Sequence, residues 1–183
     1  VLTACGGGGG GTSTDPLPSS NSGTGSTVSI NPAANLAQIE AARFLRQAAW
    51  GGTSNEINDV VSTGFNSWLG TQFSQPLSNN MTSWLIEKGF NDATVSGNVN
   101  GDGGWVQAIW WKLFSAPDLL RQRATLALSE LFVVSHVGLP ISWRNFAIAN
   151  YWEVLETHAM GNFRNLLEAV TLSSAMGTYL NMK

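Results

Sequence analysis

Past Asn31 the apolar residues return at three- and four-residue intervals in one segment after another, and no run alternates apolar with polar. A chain patterned this way has helix faces to bury and no sheet to bury them on. The expected fold class is therefore all-α, an irregular helical bundle. The punctuation agrees. Asn31-Pro32 reads as an N-cap followed by proline at the first helical position. The run "AANLAQIEAARFLRQAAW" then meets a stop signal at Gly51-Gly52. Thr53-Ser54-Asn55-Glu56 fits a capping box that opens a short helix ending near Gly64. "FNSWLGTQFSQP" and "NNMTSWLIEKGF" predict two more short helices, and 91–104 carries the turn residues of a loop.

Three stronger helices follow. In 104–115, a turn of 100° per residue places Trp105, Val106, Ile109, Trp110, Leu113 and Phe114 on an arc of roughly 180°, with Trp111 outside it. The helix expected at 117–134 is apolar almost all round, through Leu119, Leu120, Ala124, Ala127, Leu128, Leu131 and Phe132. Such a helix is predicted to lie at the centre of a bundle. The helix at 142–160 gathers Trp143, Ala147, Ile148, Tyr151, Trp152, Val154 and Leu155 on one side, with Glu153 and Glu156 on the other. Asn162 is placed to cap "FRNLLEAVTLSS", and "AMGTYLNMK" begins another turn or two.

The first 30 residues are unlike any of this. Residues 6–30 are rich in Gly, Ser and Thr and carry one charge, Asp15, a composition expected to stay disordered as a tether. Its 25 residues span about 25–30 Å. Ahead of it, Leu2-Thr3-Ala4-Cys5 resembles the bacterial lipobox, in which an apolar and two small residues precede the cysteine that receives a diacylglycerol. The expected organisation is thus 1–5 as a lipobox remnant of a signal peptide, 6–30 as tether, and 31–183 as the helical domain. The expected partner is a membrane, through a lipid on Cys5, and the expected location of the exported protein is the bacterial cell envelope. The chain's single cysteine forms no internal disulfide. A net charge of −3 with no Lys/Arg cluster excludes a nucleic-acid footprint.

The stretches "HAMGNFRNLLEAVTLSSAMGTYL" (158–180), "RATLALSELFVVS" (123–135) and "FLRQAAWGGTSNEI" (44–57) resemble the DUF1800 family of bacterial, mostly exported proteins. The resemblance runs from about residue 40 to the end and implies no known activity. Members of that family are considerably longer and carry a later "NENYARE" type motif, so the resemblance implies the N-terminal portion of such a protein. Two positions depart from it. Ser174 stands where the family often has proline, and Ser129-Glu130 where it tends to have an amide or a histidine-rich pair.

Candidate chemistry comes from helical phase. Arg123 and Glu130 share one face of the 117–134 helix, and His158 falls inside the apolar arc of the next. With Arg164 they are expected to form one buried polar cluster, because an unpaired buried charge is costly. As chemistry, such a carboxylate and histidine make a general acid/base pair; as structure, they pin two helices in register. Asn98, Asn100 and Asp102 match the first half of a calcium loop, but Ile109 occupies its twelfth position, so no metal site is expected. The sequence holds neither a G-x-S-x-G elbow nor a P-loop, and no cofactor is expected. The eight tryptophans suit either core packing or sugar-stacking platforms, with Trp111 the exception to core packing. Two functions remain open. One is a scaffold or binding module for an envelope protein or polysaccharide. The other is an envelope hydrolase-like enzyme, using His158 and Glu130, whose site is completed by a missing C-terminal half. Whether the polar groups face a cleft or a closed core separates them.

Overall fold

The computed structural model describes residues 32–101 and 103–182; Cys5, the 6–30 tether, the Asn31 cap and Asp102 lie outside them. Among the described residues there are nine α-helices and one 3-10 turn, and no strand. α1 (Pro32–Ala48) leads to α2 (Ser54–Thr63), whose start is fixed by the capping box. Thr53 Oγ1 accepts the Glu56 N–H at 3.3 Å, and the Glu56 carboxylate accepts the Thr53 N–H at 2.7 Å. Gly64, at φ +86°, turns the chain straight into α3 (Phe65–Ser74), a conformation that disfavours any side chain with a Cβ. α4 (Met81–Glu87) is capped by Asn80, and Glu153 from a distant helix accepts the Thr82 N–H at 2.7 Å.

The 89–104 loop is closed by Asn98. Its buried amide donates to the carbonyls of Gly89 and Asp92, at 3.0 and 2.9 Å. The loop ends at Gly104, at φ +84°, packed so closely on Phe90 and Leu85 that a Cβ would fall within 2.7 Å of both. Then come α5 (Trp105–Ser115), α6 (Leu119–Leu131), the 3-10 turn His136–Gly138, α7 (Arg144–His158), α8 (Phe163–Thr171) and α9 (Ser174–Tyr179). Asn162 caps α8 as expected, accepting the Arg164 N–H.

The central helix is α7, not the 117–134 helix. α7 packs on α4, α5, α6, α8, α9 and the 3-10 turn. Only Asn150 and Thr157, two turns apart on one strip, are exposed along it. One side of α7 (Ile148, Tyr151, Leu155) meets Leu166, Val170 and Met176; another (Ala149, Trp152) meets Met81, Leu85, Ala108 and Leu113. α6 instead lies at the surface. Its exposed residues are Arg123, Ala127, Glu130 and Leu131, spaced as a single helical stripe, while its fully buried ones are the polar Gln122 and Thr125. A third, smaller cluster joins Ala41 and Leu45 of α1 to Val60 of α2, with Phe44 and Trp68 against it.

Candidate functional site

The expected cluster of Glu130, Arg123, His158 and Arg164 does not form. Glu130 and Arg123 lie on the open stripe of α6, Arg164 is exposed on α8, and His158 is half-buried at the end of α7. No hydrogen bond or ion pair joins any two of them among the described residues. The phase relation between Arg123 and Glu130 is right, but their shared face looks into solvent. Arg123 makes a different contact, its guanidinium lying 4.9 Å from the centre of the Trp50 ring.

A buried polar network does exist, built from other residues. Lys112, at 1% exposure, projects from the buried face of α5 one turn beyond Ala108. Its ammonium donates to the carbonyls of Ser78 and Asn79, at 3.1 and 2.5 Å, and stands 2.9 Å from Glu156 Oε1. All three of its N–H bonds are thereby used. Glu156, on α7, also accepts from Gln122 Nε2 at 2.7 Å, and the same amide donates to Asp118 Oδ1 at 3.3 Å. Arg121 Nε approaches Asp118 Oδ2 at 3.1 Å, an ion pair whose N–H points off the oxygen. Burial pushes the Glu156 carboxyl above its usual range, against the opposing pull of the Lys112 charge and the hydrogen bonds from Lys112 and Gln122.

Two cations thus face two carboxylates inside the protein, and the network ties the segment before α4 to α5, α6 and α7. A hollow of about 290 Å³, bordered by Pro76, Ser78, Trp111 and Pro117, adjoins it, but Lys112 and Glu156 aim their charges at protein partners. What the arrangement can do is hold helices in place. Glu156, expected on the polar side of its helix, is buried, and Lys112 belongs to no sequence motif. The available signal was that lone lysine inside "WVQAIWWKLF", since a cation in so apolar a run needs a buried carboxylate if its face turns inward.

The calcium-loop amides are otherwise engaged. Asn98 closes its own loop, the Asn100 carbonyl accepts from the Arg144 guanidinium at 2.9 Å, and the Asn100 side-chain oxygen accepts from Ser142 at 3.3 Å. Among the described residues no three His, Cys, Asp or Glu gather as a metal would need.

The most apolar hollow described is a groove of about 450 Å³ between α5, α6 and the end of α1. Its walls are Trp50, Trp105, Val106, Ile109, Trp110, Leu113, Phe114 and Leu126. Trp110 and Phe114 are 55% and 72% exposed, and their rings stack at 5.5 Å and 12°. Trp111, expected to stand apart from the core, is half-buried, stacks on Trp84 at 5.7 Å and joins none of the three core clusters. So it is Trp110, from the edge of the predicted apolar arc, that faces water. A second hollow shares Trp50, Leu113 and Phe114 with the groove and continues to Thr53, Glu56, Gln72 and Leu119.

The sequence profile of DUF1800, described as a protein of unknown function, matches residues 43–183. The chain belongs to the DUF1800 family. The match takes in every residue of the buried network and of the groove, so both lie in the part of this DUF1800 member that its family defines. No curated protein and no solved structure matches it.

Proposed function

We propose that this DUF1800 member is a non-catalytic binding module, held at the bacterial cell envelope by a lipid on Cys5. The observation that carries the binding reading is the aromatic groove: two stacked rings left in water above a trough almost without polar atoms. Exposed apolar concavities of this size are where proteins take ligands or partners. The lipid anchor rests on Leu2-Thr3-Ala4-Cys5 and the glycine-rich tether behind it. Among the described residues no helix is long and apolar enough to cross a membrane. A polysaccharide fits the groove poorly, because its hydroxyls would find no hydrogen-bond partners on these walls. The hydrolase-like alternative finds Glu130, Arg123, His158 and Arg164 joined by no hydrogen bond or ion pair among the described residues.

The test is the fluorescence of anilinonaphthalene sulfonate, a dye that brightens in apolar sites. The protein is expected to enhance it, and the Trp110→Ser/Phe114→Ser variant to lose most of the enhancement with an unchanged melting temperature. Equal enhancement by the variant would remove the groove as the binding surface.

A further inference from the structure

We infer that the groove takes a single-chain fatty carboxylate, its tail along the aromatic row of α5 and its carboxylate on Arg123. This rests on the binding-module reading and names the chemistry of its ligand. The argument begins with α6. Leu119, Arg123 and Leu126 follow one another at helical spacing; Leu119 lines the second hollow and Leu126 the groove, so Arg123 lies between them along α6, on the rim and outside both linings. Its guanidinium lies over Trp50, the indole that both share. It is exposed and makes no ion pair or hydrogen bond among the described residues.

A guanidinium held over an indole face spends none of its N–H groups on a hydrogen bond there, and their fork matches a carboxylate. The acidic group on the second hollow's wall, Glu56, does not answer it. Glu56 is turned to the N–H and hydroxyl of Thr53, at 2.7 and 2.8 Å, inside the capping box. An unanswered cation at the end of an apolar trough selects an amphiphile with one negative end. Its volume, about 450 Å³, is that of a site for one small ligand. A cationic amphiphile is repelled, and an uncharged one gains only the tail.

Calorimetric titration of the full chain with decanoate, 1-decanol and decyltrimethylammonium, each below its self-association limit, tests the assignment. Decanoate is expected to bind tightest. Arg123→Gln should weaken decanoate about fivefold, as an exposed ion pair allows, and leave decanol unchanged, while Arg123→Lys restores part of the loss. Equal affinity for decanoate and decanol, or indifference to Arg123→Gln, overturns the carboxylate. Failure of all three amphiphiles to bind overturns the fatty ligand. If the dye still maps to Trp110 and Phe114 in that case, the groove reading survives with another occupant, such as the apolar face of a partner helix. If the dye fails too, both readings fall.

Discussion

A lysine with 1% of its surface in water must have its charge answered by the protein. Lys112 has two backbone carbonyls and one carboxylate, so removing it strands Glu156 rather than merely deleting a bond. Lys112→Met is therefore expected to cost about 3–5 kcal/mol in urea unfolding. The Lys112→Met/Glu156→Leu variant should recover at least half of that, since neither charge is then buried alone. The same carboxyl gives a pH dependence. Its folded pKa lies above the ordinary 4.5 because of burial, so the folded state holds the proton more tightly than the unfolded one. The stability Glu156 contributes is fully present below that ordinary value and is lost as pH rises through the raised one. Urea midpoints should fall across that window in the wild type and stay flat in Glu156→Gln. A wild-type profile as flat as the variant's would contradict the raised pKa.

Within single elements, what the sequence made legible was what depends on neighbours in the chain. Thr53 with Glu56, Gly64 and Asn162 act through backbone groups two to four residues away, and each does what its position implies. α6 departs from the orientation its pattern predicts because that orientation depends on a distant partner. Ala127 and Leu131 make its outer stripe look apolar, yet the helix is turned by Gln122, whose amide reaches Glu156 of α7. A polar residue that buys its burial with two carboxylates looks, in sequence, like a surface residue. The same turn carries Arg123 and Glu130 outward, which is why the candidate acid/base cluster was not legible. Two substitutions separate the orientations by thermal unfolding. Leu131→Gln, at a position 68% exposed, should change stability by less than about 0.5 kcal/mol. Gln122→Leu, though more apolar, should cost about 1–3 kcal/mol by taking a hydrogen-bond donor away from two buried carboxylates, Glu156 and Asp118. The reverse order would mean that α6 buries its apolar stripe after all.

Across the whole molecule, the helical class followed from periodicity alone, whereas the choice of α7 as the centre did not. Its hydrophobic face reads as ordinary, and its status comes from how many helices converge on it. The groove was hidden for a related reason: Trp110 and Phe114 belong to an apolar arc wider than the core can cover, and the sequence does not say which edge is left out. The proposed anchor makes its own prediction at this scale. Expressed in bacteria behind a lipoprotein leader, the chain should take up radiolabelled palmitate, and Cys5→Ser should take up none. A wild-type chain without label would remove the membrane as a partner.

The arrangement of the three apolar clusters has a mechanical side. α1, α2 and α3 share their own small core, and α1 and α3 rest on α6 rather than on α7. Independent cores separated in this way open as separate cooperative units. The unit built on α1 can therefore loosen while the core around α7 stays shut, but Trp50, just past the end of α1, packs on the cluster of Met81, Leu85, Ala108 and Leu113 and stays with it. Trp50, Ile109, Leu113 and Leu126 thus hold the groove's walls on a single core, and the trough is built as a fixed socket whose shape outlasts the opening of α1.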